Sequence, residues 1–414
     1  MRSLLGKMRV RFEVASLGTT AGPRRGTLVV ERGEQGSTQM ETPSFLKYTR
    51  HGLQPHLVPE VAAQLDGLPA ATRVQLEDFL DERDSEKRQF AGLREFAGIG
   101  GADIVVLDVL DPTVPKRAGK SGEKFMGVDS EGGLRRLTAA AFVRAANALG
   151  PDVAVAPADY VHEAQPSLTH GKRIAKSVAR STRWLDEALA GVTQAAVFAP
   201  VMGSLSPELR DASARALAAR GGVAGYVLND VALAADDRLW AAQRSLALLD
   251  ASKPRLMAGA SAPDMALRAV LSGVDLVDSS YAYAVTEQGL ASAYTLRGDG
   301  AHAHVDLWQD SMAADFGQLV AGCACTACRS HHRAYVHHLL RAREMLATVL
   351  LQAHNLHCFQ RFFADVRDSL ARGSLPADAA QFFARYGSGA FAELDRLAAQ
   401  DSSPTTKIQR NRHA

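Results

Sequence analysis

Short apolar runs alternate with amphipathic stretches along most of the chain. ADIVVLDVL (102–110), DVAVAPADY (152–160), AAVFAPVM (195–202), AGYVLND (224–230), PRLMAGA (254–260) and LVDSSYAYAV (276–285) read as strands. Between them, LTAAAFVRAANALG (137–150), HGKRIAKSVARSTRWLDEALA (170–190), PELRDASARALAARG (207–221), DDRLWAAQRSLALLD (236–250) and APDMALRAVLSG (262–273) carry helical periodicity. Strand–helix repeats at this pitch imply parallel strands joined by right-handed crossovers. The expected fold class is therefore α/β, a (β/α)8 TIM barrel. An open doubly wound sheet is the alternative, but no GxGxxG follows a strand, so dinucleotide binding has no support.

Three regions depart from the repeat. Residues 1–60 read as a strand-and-loop region, with Val10, Phe12 and Val14 alternating as a strand would. Residues 111–134 are rich in Gly, Pro and charge and read as a long loop or a small hairpin insertion. From Cys323 onward the pattern changes to cysteines, then helices. The expected organisation is one barrel domain over 1–414, with a metal-binding helical subdomain at 318–372 and a flexible basic tail at 400–414. Trp184 and Trp240 sit in amphipathic patterns and are expected in the core rather than as stacking platforms for bases.

Length and composition suit a large soluble fold. The 414 residues are 47% hydrophobic and 22% charged, enough to bury a sizeable core. A formal net charge of only +2 gives no sign of a nucleic-acid binder. No run of about 18 apolar residues is present, so no membrane-spanning helix is expected. The basic start lacks a long apolar stretch and a cleavage site, so it is not expected to be a signal peptide.

All four cysteines lie between Cys323 and Cys358. A disulfide framework would spread them out; clustering points to a reducing compartment and to metal. Cys323, Cys325 and Cys328 crowd three thiols into six residues. Thiolates that close repel each other, and a divalent cation relieves the repulsion; Cys3His is a familiar structural zinc set. The fourth ligand must come from the helical stretch 329–357 or its end, where His331, His332, His337, His338, His354, His357 and Cys358 compete. A straight helix from Ser330 to His354 would be about 36 Å long. His354 can therefore serve only if the helix breaks, and the break is expected near Arg341 to Glu344, although no Gly or Pro marks it.

The cysteine triplet followed by RAYVHHLLRAREMLATVLLQAHN resembles the zinc region of the tRNA-guanine transglycosylases. PRLMAGASAPD (254–264), GVDLVD (273–278) and SVARSTRWLDEAL (177–189) resemble family segments in the expected order, so the resemblance spans roughly 40–372. It implies one structural zinc ion held by Cys323, Cys325, Cys328 and His354. It also implies exchange of a tRNA base, in which a carboxylate attacks C1′ of the wobble nucleotide, expels guanine and is displaced by a queuine-type 7-deazaguanine.

Several departures from the catalytic pattern qualify that implication. Asp278 holds the nucleophile's place, and Asp159 lies near that of the base-reading aspartate. The Asp-Ser-Gly-Gly loop is missing from its place; its lookalike, Asp129-Ser130-Glu131-Gly132-Gly133, comes too late. Met202 stands where an amide would read the purine, and Val227-Leu228-Asn229-Asp230 replaces a Gly-Gly-Leu. A methionine sulfur is a weak acceptor and no donor. These losses, with TPSFLKYTRHGLQPHLVPEV (42–61), resemble the accessory, non-catalytic branch of eukaryotic queuine tRNA-ribosyltransferase. That resemblance implies no catalytic residues, with Asp278 and Asp159 vestigial. It further implies a heterodimer with a catalytic subunit of the same fold, a homodimer as a competing assembly, and tRNA as a partner contacted near Arg329, Arg333, Arg341 and Arg343. The expected location is the cytoplasm, with peripheral attachment at the mitochondrial outer membrane. The alternatives are a self-sufficient transglycosylase with Asp278 as nucleophile, and a zinc-stapled scaffold or queuine-binding protein.

Overall fold

A computed structural model of the chain describes residues 8–391, apart from segments at 17–21, 34–35, 81–91, 114–120, 131–132, 162–169, 229–232, 234, 260–261, 299, 301 and 388–389. The tail at 400–414 and the residues Asn229, Asp230, Glu131 and Gly132 therefore lie outside the described residues.

The chain opens with an antiparallel sheet of β1 (Arg9–Ser16), β2 (Arg25–Glu31) and β3 (Ser37–Thr42). Eight strands then close a parallel barrel: β4 (Ser44–Tyr48), β5 (Ala71–Gln75), β6 (Ile104–Asp108) and, after a hairpin, β9 (Val153–Val155), β10 (Ala196–Pro200), β11 (Val223–Val227), β12 (Arg255–Leu256) and β13 (Leu276–Asp278). The hairpin is β7 (Met126–Ser130) with β8 (Gly133–Leu137), inside the stretch read as a loop or hairpin insertion. β14 (Leu290–Ser292) and β15 (His304–Asp306) form a small ribbon after the barrel.

Helices Ala139–Leu149, His170–Gly191, Pro207–Ala218, Ala235–Leu246 and Pro263–Leu271 follow the expected periodic stretches. Thr138 and Ser206 cap two of them, accepting from Ala141 N and Leu209 N. Their apolar faces, with Phe142, Trp184, Leu217, Leu246 and Val270, pack against outward strand residues such as Val74, Leu107, Val197 and Met257 in one large core.

A second core fills the barrel interior. Leu46, Ala71, Ile104, Val106, Val153, Phe198, Val227, Leu256 and Leu276 meet Phe12, Leu28, Val30 and Met40 of the opening sheet, which therefore covers the end where the strands begin. Buried bidentate pairs anchor that cover: Arg24 holds Asp275 at 2.8 and 2.6 Å, and Arg32 holds Asp152 at 2.7 and 2.9 Å. Two planar forks matched to two carboxylates keep these buried charges satisfied.

Two expectations need correction. LVDSSYAYAV is a strand only to Asp278; Ser280–Glu287 is a helix. The Asp278 carboxylate accepts from Ser280 N at 2.9 Å, which ends the strand without Gly or Pro. Trp184 is buried as expected, but Trp240 is 38% exposed, with the Arg244 guanidinium 6.0 Å from its ring. Trp240 lies on the outer side of its helix, and indole tolerates that position because a cation covers its face.

Candidate metal centre and barrel mouth

The long C-terminal helical stretch does break where metal geometry demands it. Helix Arg333–Ala342 ends at Arg343 in the left-handed conformation (φ 59°, ψ 35°), and helix Met345–Arg372 follows. The turn sends the second helix back past the cysteines. His354 lands beside them, completely buried.

Cys323, Cys325, Cys328 and His354 bring their donor atoms within 4.8 Å of one another. His354 Nδ1 lies 3.7 Å from Cys323 Sγ and 3.4 Å from both Cys325 Sγ and Cys328 Sγ. A tetrahedral zinc ion with Zn–S near 2.3 Å and Zn–N near 2.0–2.1 Å sets that edge at about 3.6 Å. The four donors thus fit such an ion in chemistry and in spacing. His354 Nε2 donates to the Ser292 carbonyl at 2.9 Å, which leaves Nδ1 as the acceptor aimed at the sulfurs. This is the usual second partner of a metal-ligating imidazole. Cys325 caps the short helix Thr326–Ser330, its Sγ accepting from Cys328 N at 3.3 Å.

The charge balance also calls for a cation. Hydrogen bonds with Cys325 and Cys328 pull the Cys323 thiol down, while hydrogen bonds with Cys323 and Cys328 push Cys325 up, so the buried sulfurs do not ionise together. Burial alone would lower the His354 imidazole, but Cys323 and Cys328 push it up to about 9.

The rival ligands are otherwise engaged or turned away. His332 Nδ1 caps Tyr335 N, His331 stacks on Tyr335 at 5.0 Å, and His337 Nδ1 contacts the Leu307 carbonyl at 2.8 Å. His338 is exposed. His357 Nε2 has no partner but lies outside the group. Cys358 Sγ donates to the Ser292 carbonyl and lies 3.5 Å from Nε2, with its thiol also interacting with that of Cys323, but it is not one of the four converging donors. Asn355, next to His354, ties the ribbon to the helix: its Oδ1 accepts from Ser292 N, and its amide donates to Thr286 Oγ1 and the Leu290 carbonyl. Leu319, Val336, Leu340 and Leu351 pack around the cysteines. Arg333 is paired with Asp315 at 2.9 Å, whereas Arg329, Arg341 and Arg343 are exposed.

At the barrel mouth, where the strands end, the carboxylates singled out from sequence are held fast. Asp278 is fully buried, and both its oxygens accept backbone N–H groups, from Gly259 at 2.6 Å and Ser280 at 2.9 Å. Asp159, also fully buried, is clamped by Arg173 at 2.7 Å to each oxygen and by Arg180 at 3.1 Å. Asp129 and Ser130 lie on the hairpin, opposite Leu134 and Gly133. Met202 is buried, with its N–H donating to Ser213 Oγ.

Sequence reading missed Arg73. It projects to the same barrel face as Ala71 and donates to Asp108 at 2.8 Å and to the Leu110 carbonyl at 2.7 Å. Burial would lower its guanidinium, but Asp108 and then Asp278 raise it, so the mouth holds an internal cation among acids. Tyr48 donates to Asp111 at 2.7 Å. Arg73 Nε and Nη1 and both amide atoms of Gln75 are buried without a partner. The available signal was the polar alternation in ATRVQ, which places Arg73 and Gln75 on one side of a strand.

A sequence model of a family described as queuine tRNA-ribosyltransferase matches residues 19–388. The queuine tRNA-ribosyltransferase accessory subunit 2 of Xenopus tropicalis is 31% identical over 404 residues, covering 87% of this chain and 97% of its own. The protein of that name from Danio rerio is 32% identical over 386 residues, with 83% and 92% covered. Its namesake from Homo sapiens is 31% identical over 388 residues, again with 83% and 92% covered.

Proposed function

This chain belongs to the queuine tRNA-ribosyltransferase family, and on that premise we propose that it is the non-catalytic partner of a catalytic subunit, supporting exchange of wobble guanine for queuine in tRNA. The observation that carries this reading is the state of Asp278. A nucleophilic carboxylate needs an oxygen that the nucleotide can reach, and here Asp278 is fully buried with a backbone N–H on each oxygen. Asp159, near the base-reading position, is also fully buried and is held by two arginines. Met202 contributes no amide for reading a purine.

The chain's contribution is then its shape. Cys323, Cys325, Cys328 and His354 hold one structural zinc ion that pins the helices beyond the barrel. This subdomain and the segment just before it expose Trp308, Phe316, Met345 and Leu346, with Phe316 74% and Met345 84% accessible. Large apolar side chains left in water suit burial against another protein. The partner proposed for them is the catalytic subunit, with a homodimer as the competing assembly. No helix among the described residues is long and apolar enough to cross a membrane. Residence in the cytoplasm, with peripheral attachment at the mitochondrial outer membrane, belongs to this proposal.

One observation favours a second reading, a queuine-binding role. Each buried polar group left unmet costs about 1–3 kcal/mol, and the Gln75 amide and the Arg73 Nε and Nη1 atoms at the mouth are unmet. Calorimetric titration of the chain alone with queuine tests it: saturable heat supports this second reading, and no heat removes it.

The leading reading is tested by labelled guanine incorporation into tRNA. The chain alone is expected to incorporate none, and the chain with its catalytic partner to support full exchange. Steady incorporation by the chain alone overturns the reading.

A further inference from the structure

Helix His170–Gly191 carries its charges against its own dipole. Its first turn contains Lys172 and Arg173 and no acidic residue, although the amino end of a helix favours anions. Its acids, Asp186 and Glu187, come late. Arg173 and Arg180 turn inward to Asp159. Lys172, Lys176 and Arg183 instead line the exposed side, a stripe of about 16 Å at 1.5 Å per residue.

The β7–β8 hairpin extends this stripe. Glu123, just before β7, binds Arg180 at 2.6 Å and Arg183 at 3.3 Å and so docks the hairpin on the helix. The hairpin adds Lys124 and Arg136, the latter lying over the Phe125 ring at 4.9 Å. Lys124, Arg136, Lys172 and Lys176 pair with no carboxylate among the described residues. The whole chain carries only +2, so this local excess is not a by-product of a basic composition.

We propose that the exposed side of helix His170–Gly191 and the adjoining β7–β8 hairpin form the chain's contact surface for the phosphodiester backbone of RNA. Unpaired cations in a row neutralise successive phosphates and release their counterions. A membrane surface is the weaker match. An interfacial helix sets large apolar residues beside its cations, whereas the exposed positions between Lys172 and Arg183 are Ala175, Lys176 and Ala179. Leu134 on the hairpin is the one large exposed apolar side chain of this face among the described residues. The proposal rests on the tRNA reading above and gives it a location.

The test uses the full chain, alone and assembled with the catalytic subunit. Wobble-guanine tRNA affinity is measured across a salt series for wild type, for Lys172→Gln with Lys176→Gln, and for Arg11→Gln on β1 as a distant control. Size-exclusion chromatography and melting temperature confirm assembly and folding. Loss of two phosphate contacts lowers the slope of log K against log[salt] by about 1.4 to 1.8 and weakens binding about tenfold or more at 0.15 M salt. The control leaves both unchanged. An unaltered slope and Kd in the folded double variant overturn the proposal, as does a loss confined to vesicles of anionic lipid with tRNA binding intact. A wild-type chain that fails to assemble with the catalytic subunit defeats the partner reading instead. The surface is then judged on tRNA binding by this chain alone, under the same criteria.

Discussion

Replacing Cys325 with serine removes one of the four donors around His354 and should both release the metal and loosen the helices beyond the barrel. Cys325 Sγ lies 3.4 Å from His354 Nδ1 and also accepts the Cys328 N–H that starts helix Thr326–Ser330. Structural zinc contributes about 10–16 kcal/mol in small domains, and a site that releases its ion loses that contribution rather than one ligand's share. A serine hydroxyl keeps part of the cap but supplies no thiolate. At about 2.1 cal/mol/K per residue, 414 residues carry an unfolding entropy of about 0.9 kcal/mol/K, so a loss of about 10 kcal/mol lowers the melting temperature by about 11 °C. The damage should centre on Leu319, Val336, Leu340 and Leu351, which pack around the site. The assay is elemental analysis of purified protein paired with thermal melting, with and without a chelator. Wild type should carry one zinc per chain and lose stability to the chelator; Cys325→Ser should carry little and respond little. Cys358→Ser is the matched control, because its sulfur faces Nε2, and it should keep its zinc. Full zinc in Cys325→Ser, or loss of zinc in Cys358→Ser, refutes the ligand assignment.

Three further outcomes follow from particular residues. Arg343→Gly should stabilise the fold by about 1 kcal/mol in denaturant titration, since a side chain at φ 59° is strained and glycine is not; destabilisation would show that the arginine itself anchors the turn. Asp278→Asn should cost about 1–3 kcal/mol, because it sets an amide donor against a backbone N–H, yet leave the assembled complex at full exchange rate; lost activity in a folded complex would count against the idle carboxylate. Burial lowers His304 to about 4, and its Nε2 meets Tyr281 Oη at 2.6 Å. The unfolded chain takes that proton near pH 6.5, so between these values it binds more protons than the folded state, and stability is lost as pH falls from 6.5 to 4. The loss is at most about 3 kcal/mol, and His304→Gln should flatten this part of a stability–pH curve; an unchanged curve contradicts the assignment.

The barrel was legible where strands are apolar on both faces, as in β6 and β10, because helices cover one side and a packed interior the other. β4 and β5 escaped notice because polar residues interrupt them: Lys47 pairs with Asp103 beside the start of β6, and Arg73 and Gln75 lie buried in β5, which breaks the apolar run that marks a buried strand. The helix after Asp278 was hidden because a side-chain acceptor, rather than Gly or Pro, makes the boundary. At the metal site the cysteine spacing announced the chemistry. Geometry alone located the helix break, since Arg343 takes a glycine-like conformation without being glycine. The Ser292 carbonyl behind His354 and the Arg173 clamp on Asp159 leave no trace in spacing; the first joins residues 62 positions apart and the second residues 14 apart.

Adduct trapping reads directly whether Asp278 attacks the nucleotide. The assembled complex is incubated with labelled wobble-guanine tRNA, quenched during turnover and resolved on a denaturing gel that separates the two subunits. Label should travel with the catalytic subunit alone. Label on this chain, abolished by Asp278→Asn, would show that its carboxylate is reactive and would contradict the partner-subunit reading.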